Sequence, residues 1–194
     1  MPDLVLDPTR TAVFSMDVQK ATARMSAMFR ERDVGAKAKR VLEAARKAKV
    51  LVIHVVIEYR PEFFSPNNKF IQMVRMPALS APGIDLEELL EIVDEVKPIE
   101  GETVVPKPRM NPFFGTGLES MLRSRDIDTV VLTGIATEFV VEAAARHAAD
   151  ADFKVIVLED CCASFSDEAH VAALNVMEFL ATLATSDDFI AAVA

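Results

Sequence analysis

The sequence predicts an α/β protein whose parallel sheet is covered by helices on both faces. Two observations predict it: short apolar runs rich in β-branched residues recur along the chain, and segments of helical period separate them. A third is size. The 194 residues fit one domain, residues 1–194, and a chain of this length buries about 70% of its unfolded surface without disulfide staples.

The runs Ala12–Met16, Val50–Ile57, Thr103–Val105, Thr129–Thr133 and Val155–Leu158 read as strands. Between the second run and the first lies Val34–Ala48, which places Val34, Ala38, Val41, Leu42 and Ala45 on one face. Its Lys37, Lys39, Arg40, Arg46 and Lys47 fall elsewhere, so a helix with one buried stripe is expected. Gly115–Arg125, Glu138–Ala149 and Asp167–Leu183 read the same way. Glu58–Gly83 is different, because Pro61, Pro66, Pro77 and Pro82 interrupt any regular element. It is long enough to be a lid or wall of a site. Equally, it is a surface excursion packed by its own Phe63, Phe64 and Phe70.

Composition narrows the function. With 51% hydrophobic and 26% charged residues the chain is a folded globular protein. A net charge of −9 argues against nucleic-acid partners, since phosphate contacts need a basic surface. The longest apolar runs are too short to span a bilayer, and Met1-Pro2-Asp3-Leu4 lacks the basic start and apolar core of a secretory signal. A cytoplasmic protein acting on a small molecule is therefore expected. Cys161 and Cys162 are adjacent, so they neither staple distant segments nor have zinc-ligand spacing. They read as small buried hydrophobes.

In an open parallel sheet, ligands bind beyond the carboxyl ends of the strands, which directs attention to three places. The first strand ends in Met16-Asp17-Val18-Gln19. Its carboxylate is either catalytic or an N-cap for the segment that follows. The third strand runs into Pro106-Lys107-Pro108-Arg109, where two prolines stiffen the chain around a lysine; a solvated surface lysine is the ordinary reading. The fourth strand leads through Thr133-Gly134-Ile135-Ala136-Thr137 directly into a helix, offering backbone amides to an anion.

Taken together and in order, Phe14–Gln19 (FSMDVQ), Val104–Arg109 (VVPKPR), Leu132–Thr137 (LTGIAT) and Val157–Ser164 (VLEDCCAS) resemble the isochorismatase-like, or cysteine, hydrolases over about Ala12–Ile190. That resemblance implies a three-layer α/β/α sandwich around a six-stranded parallel sheet, Rossmann-like in character. It assigns an acid/base role to Asp17, makes Lys107 the lysine of the site, and places a cis peptide at Ile135–Ala136. Homodimers or larger homo-oligomers are the family habit. The apolar C-terminal stretch Phe189–Ala194, which a monomer would tend to expose, points the same way.

The chain also departs from the pattern. Amide-cleaving relatives carry a cysteine four residues after the alanine of the turn, and Val140 stands there. Valine has no nucleophilic atom, so the covalent route is closed at this position. Relatives that hydrolyse the vinyl ether of isochorismate likewise lack the cysteine and rely on proton transfer from the aspartate. The resemblance thus implies a noncovalent hydrolase of a small carboxylated or amide-like metabolite. The alternative is a degenerate relative acting as a ligand-binding or assembly subunit.

No cofactor and no metal are expected, because His54, His147 and His170 are scattered and Glu58-Tyr59-Arg60-Pro61 replaces the histidine pattern of metal-binding relatives. His54 reads as a hydrogen-bonded core residue. Arg60 and Arg109 are candidate carboxylate partners, Arg109 equally a structural anchor. Glu138 is either a first-turn acid favourable to the helix dipole or a proton-transfer group. With Ile135 and Ala136 it completes the expected substrate-binding set. Asp17 is subject to two opposed effects: desolvation favours its acid form, and a nearby lysine favours the carboxylate. The turn amides of Ala136 and Val140 are the expected stabilisers of developing negative charge.

Overall fold

The computed structural model describes residues 4–58, 65, 67–72, 83 and 85–194. Strands β1 (Thr11–Met16), β2 (Leu51–Ile57), β3 (Thr103–Lys107), β4 (Thr129–Ile135), β5 (Lys154–Ala163) and β6 (Thr182–Ala184) form one sheet in the order β3-β2-β1-β4-β5-β6. Every pairing is parallel. The order reverses between β1 and β4, so the crevice beyond their carboxyl ends is the place for a ligand.

Helices α1 (Lys20–Met25), α2 (Ala27–Glu31), α3 (Val34–Lys47), α4 (Leu86–Leu90), α5 (Leu118–Arg123), α6 (Glu142–Asp150), α7 (Asp167–Met177) and α8 (Ser186–Ala192) cover the sheet, with a π-helical turn at Thr137–Val141 leading into α6. The alternation of side chains along each strand sorts the core into two layers. Val13, Val52, Val131 and Ile156 pack with Val41 and Leu42 of α3 and Phe189 of α8. Phe14, Met16, Ile53, Leu132 and Val157 pack on the other face with Leu118 and Leu122 of α5, Ala144 of α6 and Met177 of α7. All residues of β1 and β4 are buried, the reason they read as nearly unbroken apolar runs. No helix among the described residues is long and apolar enough to cross a membrane.

Four local expectations are corrected. Asp167–Leu183 is not one helix: α7 stops at Met177, and Leu183 lies in β6, a three-residue edge strand that pairs, among the described residues, only with β5. Such a short strand carries no period of its own for a sequence reading to detect. The Gly115–Arg125 helix is shorter, because Gly115 adopts φ +72° outside it. Cys161 and Cys162 lie within β5 rather than after it. The C-terminal stretch is not an exposed apolar tail: Phe189 is fully buried, and Ile190 and Val193 pack against the α3 side of the core. Asp160 fastens this segment, accepting from the Ser186 amide and hydroxyl at 2.7 Å each.

Glu58–Gly83 falls largely outside the described residues, Pro61, Phe63, Phe64, Pro66, Pro77 and Pro82 among them. Phe70 is described and meets Phe139, with ring centroids 5.0 Å apart.

A buried polar network ties β2 to the segment before β3. His54 is inaccessible, and its Nε2 lies 2.9 Å from Glu102 Oε2. The same carboxylate accepts from Arg46 Nε and Nη2 and from the Ile99 amide. Burial pushes the Glu102 carboxyl up, but the Arg46 guanidinium, the Ile99 amide and the His54 ring together hold it at about 2. Burial depresses the His54 ring below its ordinary value, against the pull of Glu102. Both folded-state values lie below those of the unfolded chain. Their stabilisation is therefore present at neutral pH and is lost on acidification, first through His54 below about pH 6.5 and then through Glu102 from about pH 4.5 toward 2. Glu102→Gln is expected to lower stability at pH 7 by roughly 1.5–3 kcal/mol, the scale of hydrogen bonds to a charged group, and to flatten the acid limb below pH 4.5. Urea titrations between pH 3 and 7 read both effects, and an unchanged acid limb would count against the network.

Candidate active site

Asp17 follows β1 directly. It takes φ 55°, the left-handed region that aspartate tolerates better than most residues. Two backbone contacts lock it there: its amide donates to the Val55 carbonyl at 2.8 Å, and its carbonyl accepts from the Thr22 hydroxyl. Asp17 is not a helix cap, because the N-cap of α1 is Gln19. Its side chain is 6% exposed.

Lys107 closes β3, in register with Ile57 of β2. From there its long side chain passes the end of β2 to reach β1, and Nζ lies 2.9 Å from Asp17 Oδ2. The ammonium also donates to the Arg109 carbonyl at 2.9 Å. At 1% exposure it is not the solvated surface lysine of the ordinary reading. Arg109 turns its guanidinium back to the Pro108 carbonyl at 2.9 Å, so its backbone, rather than its charge, touches the lysine. Arg60 lies outside the described residues.

β4 supplies the third edge. Met16 is in register with Gly134, whose φ of +147° and close approach to the Met16 carbonyl leave no room for a Cβ. That contact sets the Ile135–Ala136 turn beside Asp17. The Ile135–Ala136 peptide is cis. After it the chain enters the π-helical turn, in which the Phe139 and Val141 amides both donate to the Ala136 carbonyl. Val140 is 1% exposed and packs into the core layer of Phe14 and Met16. Glu138 stands in the first turn, but the N-cap is Ala136 and no side chain caps the turn. The Glu138 Oε2 atom is buried, with no hydrogen-bond partner among the described residues.

Several supports were not legible in the sequence. Gln19 braces the site: its Oε1 accepts from the Ile57 amide at 2.8 Å, and its Nε2 donates to the Leu90 carbonyl at 2.6 Å. Thr137 Oγ1 lies 2.8 Å from His170 Nδ1, both buried, linking the turn to α7. Burial, with Arg32 nearby, depresses the His170 ring. A cavity of about 370 Å³ is lined by His170 together with Arg32, Lys37, Glu159 and Asp160, and not by Asp17 or Lys107.

The cysteines are poor nucleophiles. Burial raises both thiols, aided at Cys161 by Asp160, and pushes Cys162 up to about 12 despite the Gly134 backbone hydrogen bond. Among the described residues, no group of three or more His, Cys, Asp or Glu side chains is placed to hold a metal ion.

Residues 11–188 match the isochorismatase domain model. The isochorismatase family protein YwoC of Bacillus subtilis is 31% identical over 90% of this chain and 89% of its own. The ureidoacrylate amidohydrolase RutB of Rhizobium rhizogenes is 32% identical over 98% of this chain and 86% of its own. An isochorismatase family protein from Burkholderia thailandensis superposes with a TM-score of 0.79 at 28% identity, covering 97% of each chain. A cysteine hydrolase from Pseudomonas syringae pv. phaseolicola shares the fold at a TM-score of 0.84 and 23% identity, covering 98% of this chain and 95% of the other. With the domain match spanning nearly the whole chain, the protein belongs to the isochorismatase family.

Proposed function

We propose that this chain is a hydrolase of a small amide-like or carboxylated metabolite, working by noncovalent acid/base chemistry at Asp17. The observation that carries the reading is the Asp17–Lys107 ion pair, 2.9 Å long and almost inaccessible, at the switch point of the sheet. A buried ion pair is a weak device for stability, and apolar replacements often stabilise as well or better. Its presence where a ligand would bind is accounted for by chemistry.

Val140 occupies the position of the family nucleophile and offers no nucleophilic atom, and the high thiols of Cys161 and Cys162 do not substitute for one. In the proposed cycle the Asp17 carboxylate takes a proton from water as the water oxygen attacks the substrate carbonyl carbon. The neutral carboxyl then returns that proton to the leaving nitrogen as the C–N bond breaks. Lys107 positions Asp17 and favours its charged form by proximity. Amides of the turn at Ala136 and Val140 hold the developing oxyanion. The RutB relatives, which cleave an amide-type bond by their name, favour amides and ureides over vinyl ethers.

Assaying a panel of isochorismate-like ethers, amides and ureides with native and thiol-alkylated protein tests this reading. Turnover of an amide or ureide, unaffected by alkylation, is expected. Binding of panel compounds without any turnover would instead establish a ligand-binding or assembly subunit.

Assembly as a homodimer or larger homo-oligomer belongs to the same proposal, now on different grounds. α7 and the residues after it expose Val171, Val176 and Phe179, the last at 89%. Large apolar side chains left exposed in one segment are the kind of surface that association covers. Light scattering at micromolar concentration is expected to give a multiple of the 21.3 kDa chain; the monomer mass would refute it.

A further inference from the structure

We propose that Glu138 is a specificity-determining residue that accepts a hydrogen bond from an N–H group of the substrate, restricting the site to amides or ureides with a free N–H beside the cleaved bond. This rests on the hydrolase reading above. The carrying observation is the Glu138 Oε2 atom, buried and without a hydrogen-bond partner among the described residues.

The structural roles open to this carboxylate are taken elsewhere. The turn is not capped by a side chain. The nearest cation along the helix, Arg146, is engaged by Glu142 at 2.7 Å. A buried acceptor left unsatisfied is costly, and such groups persist at sites where a ligand completes them. Position supports the same conclusion. Met16 and Gly134 are in register, so Asp17 lies beside Ile135, and Glu138 follows only three residues later. Phe139, the next residue, packs between Phe70 and Phe165, with ring centroids 5.0 and 6.4 Å away. An anionic acceptor there attracts N–H donors and repels carboxylate oxygens, so the substrate's own carboxylate, if it has one, lies away from Glu138.

The test compares Glu138→Met, which keeps the side-chain length and removes the acceptor, with Glu138→Gln, which retains a carbonyl oxygen. The probes are a primary carboxamide and the matching methyl ester, which lacks the N–H. Without ligand, Glu138→Met is expected to melt about 2–4 °C higher than the native protein, because an unsatisfied buried acceptor has been removed. With ligand, it is expected to lose ~10–100-fold in kcat/KM for the carboxamide while the ester changes by less than about threefold. Glu138→Gln is expected to fall between. Titration calorimetry with the same pair reads the preference even where neither compound is turned over, so failure of the hydrolase reading is distinguishable from failure of this one. A lower melting temperature for Glu138→Met, or equal losses for carboxamide and ester, would overturn the inference.

Discussion

Asp17→Asn is expected to lower kcat by roughly 10²–10⁴-fold, the usual contribution of a positioned general acid/base, while KM changes only a few-fold. The change is nearly isosteric. The asparagine carbonyl still accepts from Lys107, which lies 2.9 Å from the native carboxylate, and the backbone locks through Val55 and Thr22 do not involve the side chain. What is lost is the ability to take and return a proton. Because the proposed attack on the carbonyl needs that transfer while binding does not, the loss appears in kcat rather than in KM. The remaining Lys107 cation, 1% exposed, keeps a hydrogen bond but loses its counter-charge, so some stability is lost; circular dichroism and ligand titration on the same variant check that the fold and the binding site survive. Full activity in Asp17→Asn, or a covalent substrate adduct trapped on Cys161 or Cys162, would remove the noncovalent mechanism.

The sequence shows the sheet more clearly than the site. Thr11–Met16 and Thr129–Ile135 are buried on both faces and so appear as apolar runs. α3 has one buried stripe and is bounded to within a residue by its period. β6 has three residues and a single neighbour, and nothing in its composition separates it from the helix before it. At the site, motif order picks out Asp17, Lys107 and the Ile135–Ala136 turn, yet the contacts that make them a site join residues far apart in sequence. Lys107 alone reads as a surface residue, since two flanking prolines say nothing of where a four-carbon stem will point. Its burial follows from β3 lying two strands from β1, which is a property of topology. Gln19 bonding Ile57 and Leu90, and Thr137 bonding His170, are long-range pairs of the same kind. Glu138 shows the converse: first-turn acids commonly favour the helix dipole, and only the absence of a capping bond in the fold marks this one as different.

Lys107→Met is expected to be the most destabilising single change at the site. The methionine keeps the apolar stem packed but removes the cation 2.9 Å from Asp17, leaving a carboxylate side chain that is 6% exposed without that charge. Breaking a buried pair from one side costs about 3–5 kcal/mol. For a chain of this size that corresponds to a melting temperature lower by on the order of 10 °C. The penalty arises from the remaining negative charge. For the same reason the double variant Asp17→Asn/Lys107→Met should recover most of the lost stability, giving a favourable coupling between the two sites in a double-mutant cycle, although both variants remain inactive. Recovery of the fold without recovery of turnover would show that the pair is held for its chemistry. A double variant no more stable than Lys107→Met alone would show that the lysine stabilises the fold through contacts other than Asp17, its bond to the Arg109 carbonyl being the first to examine.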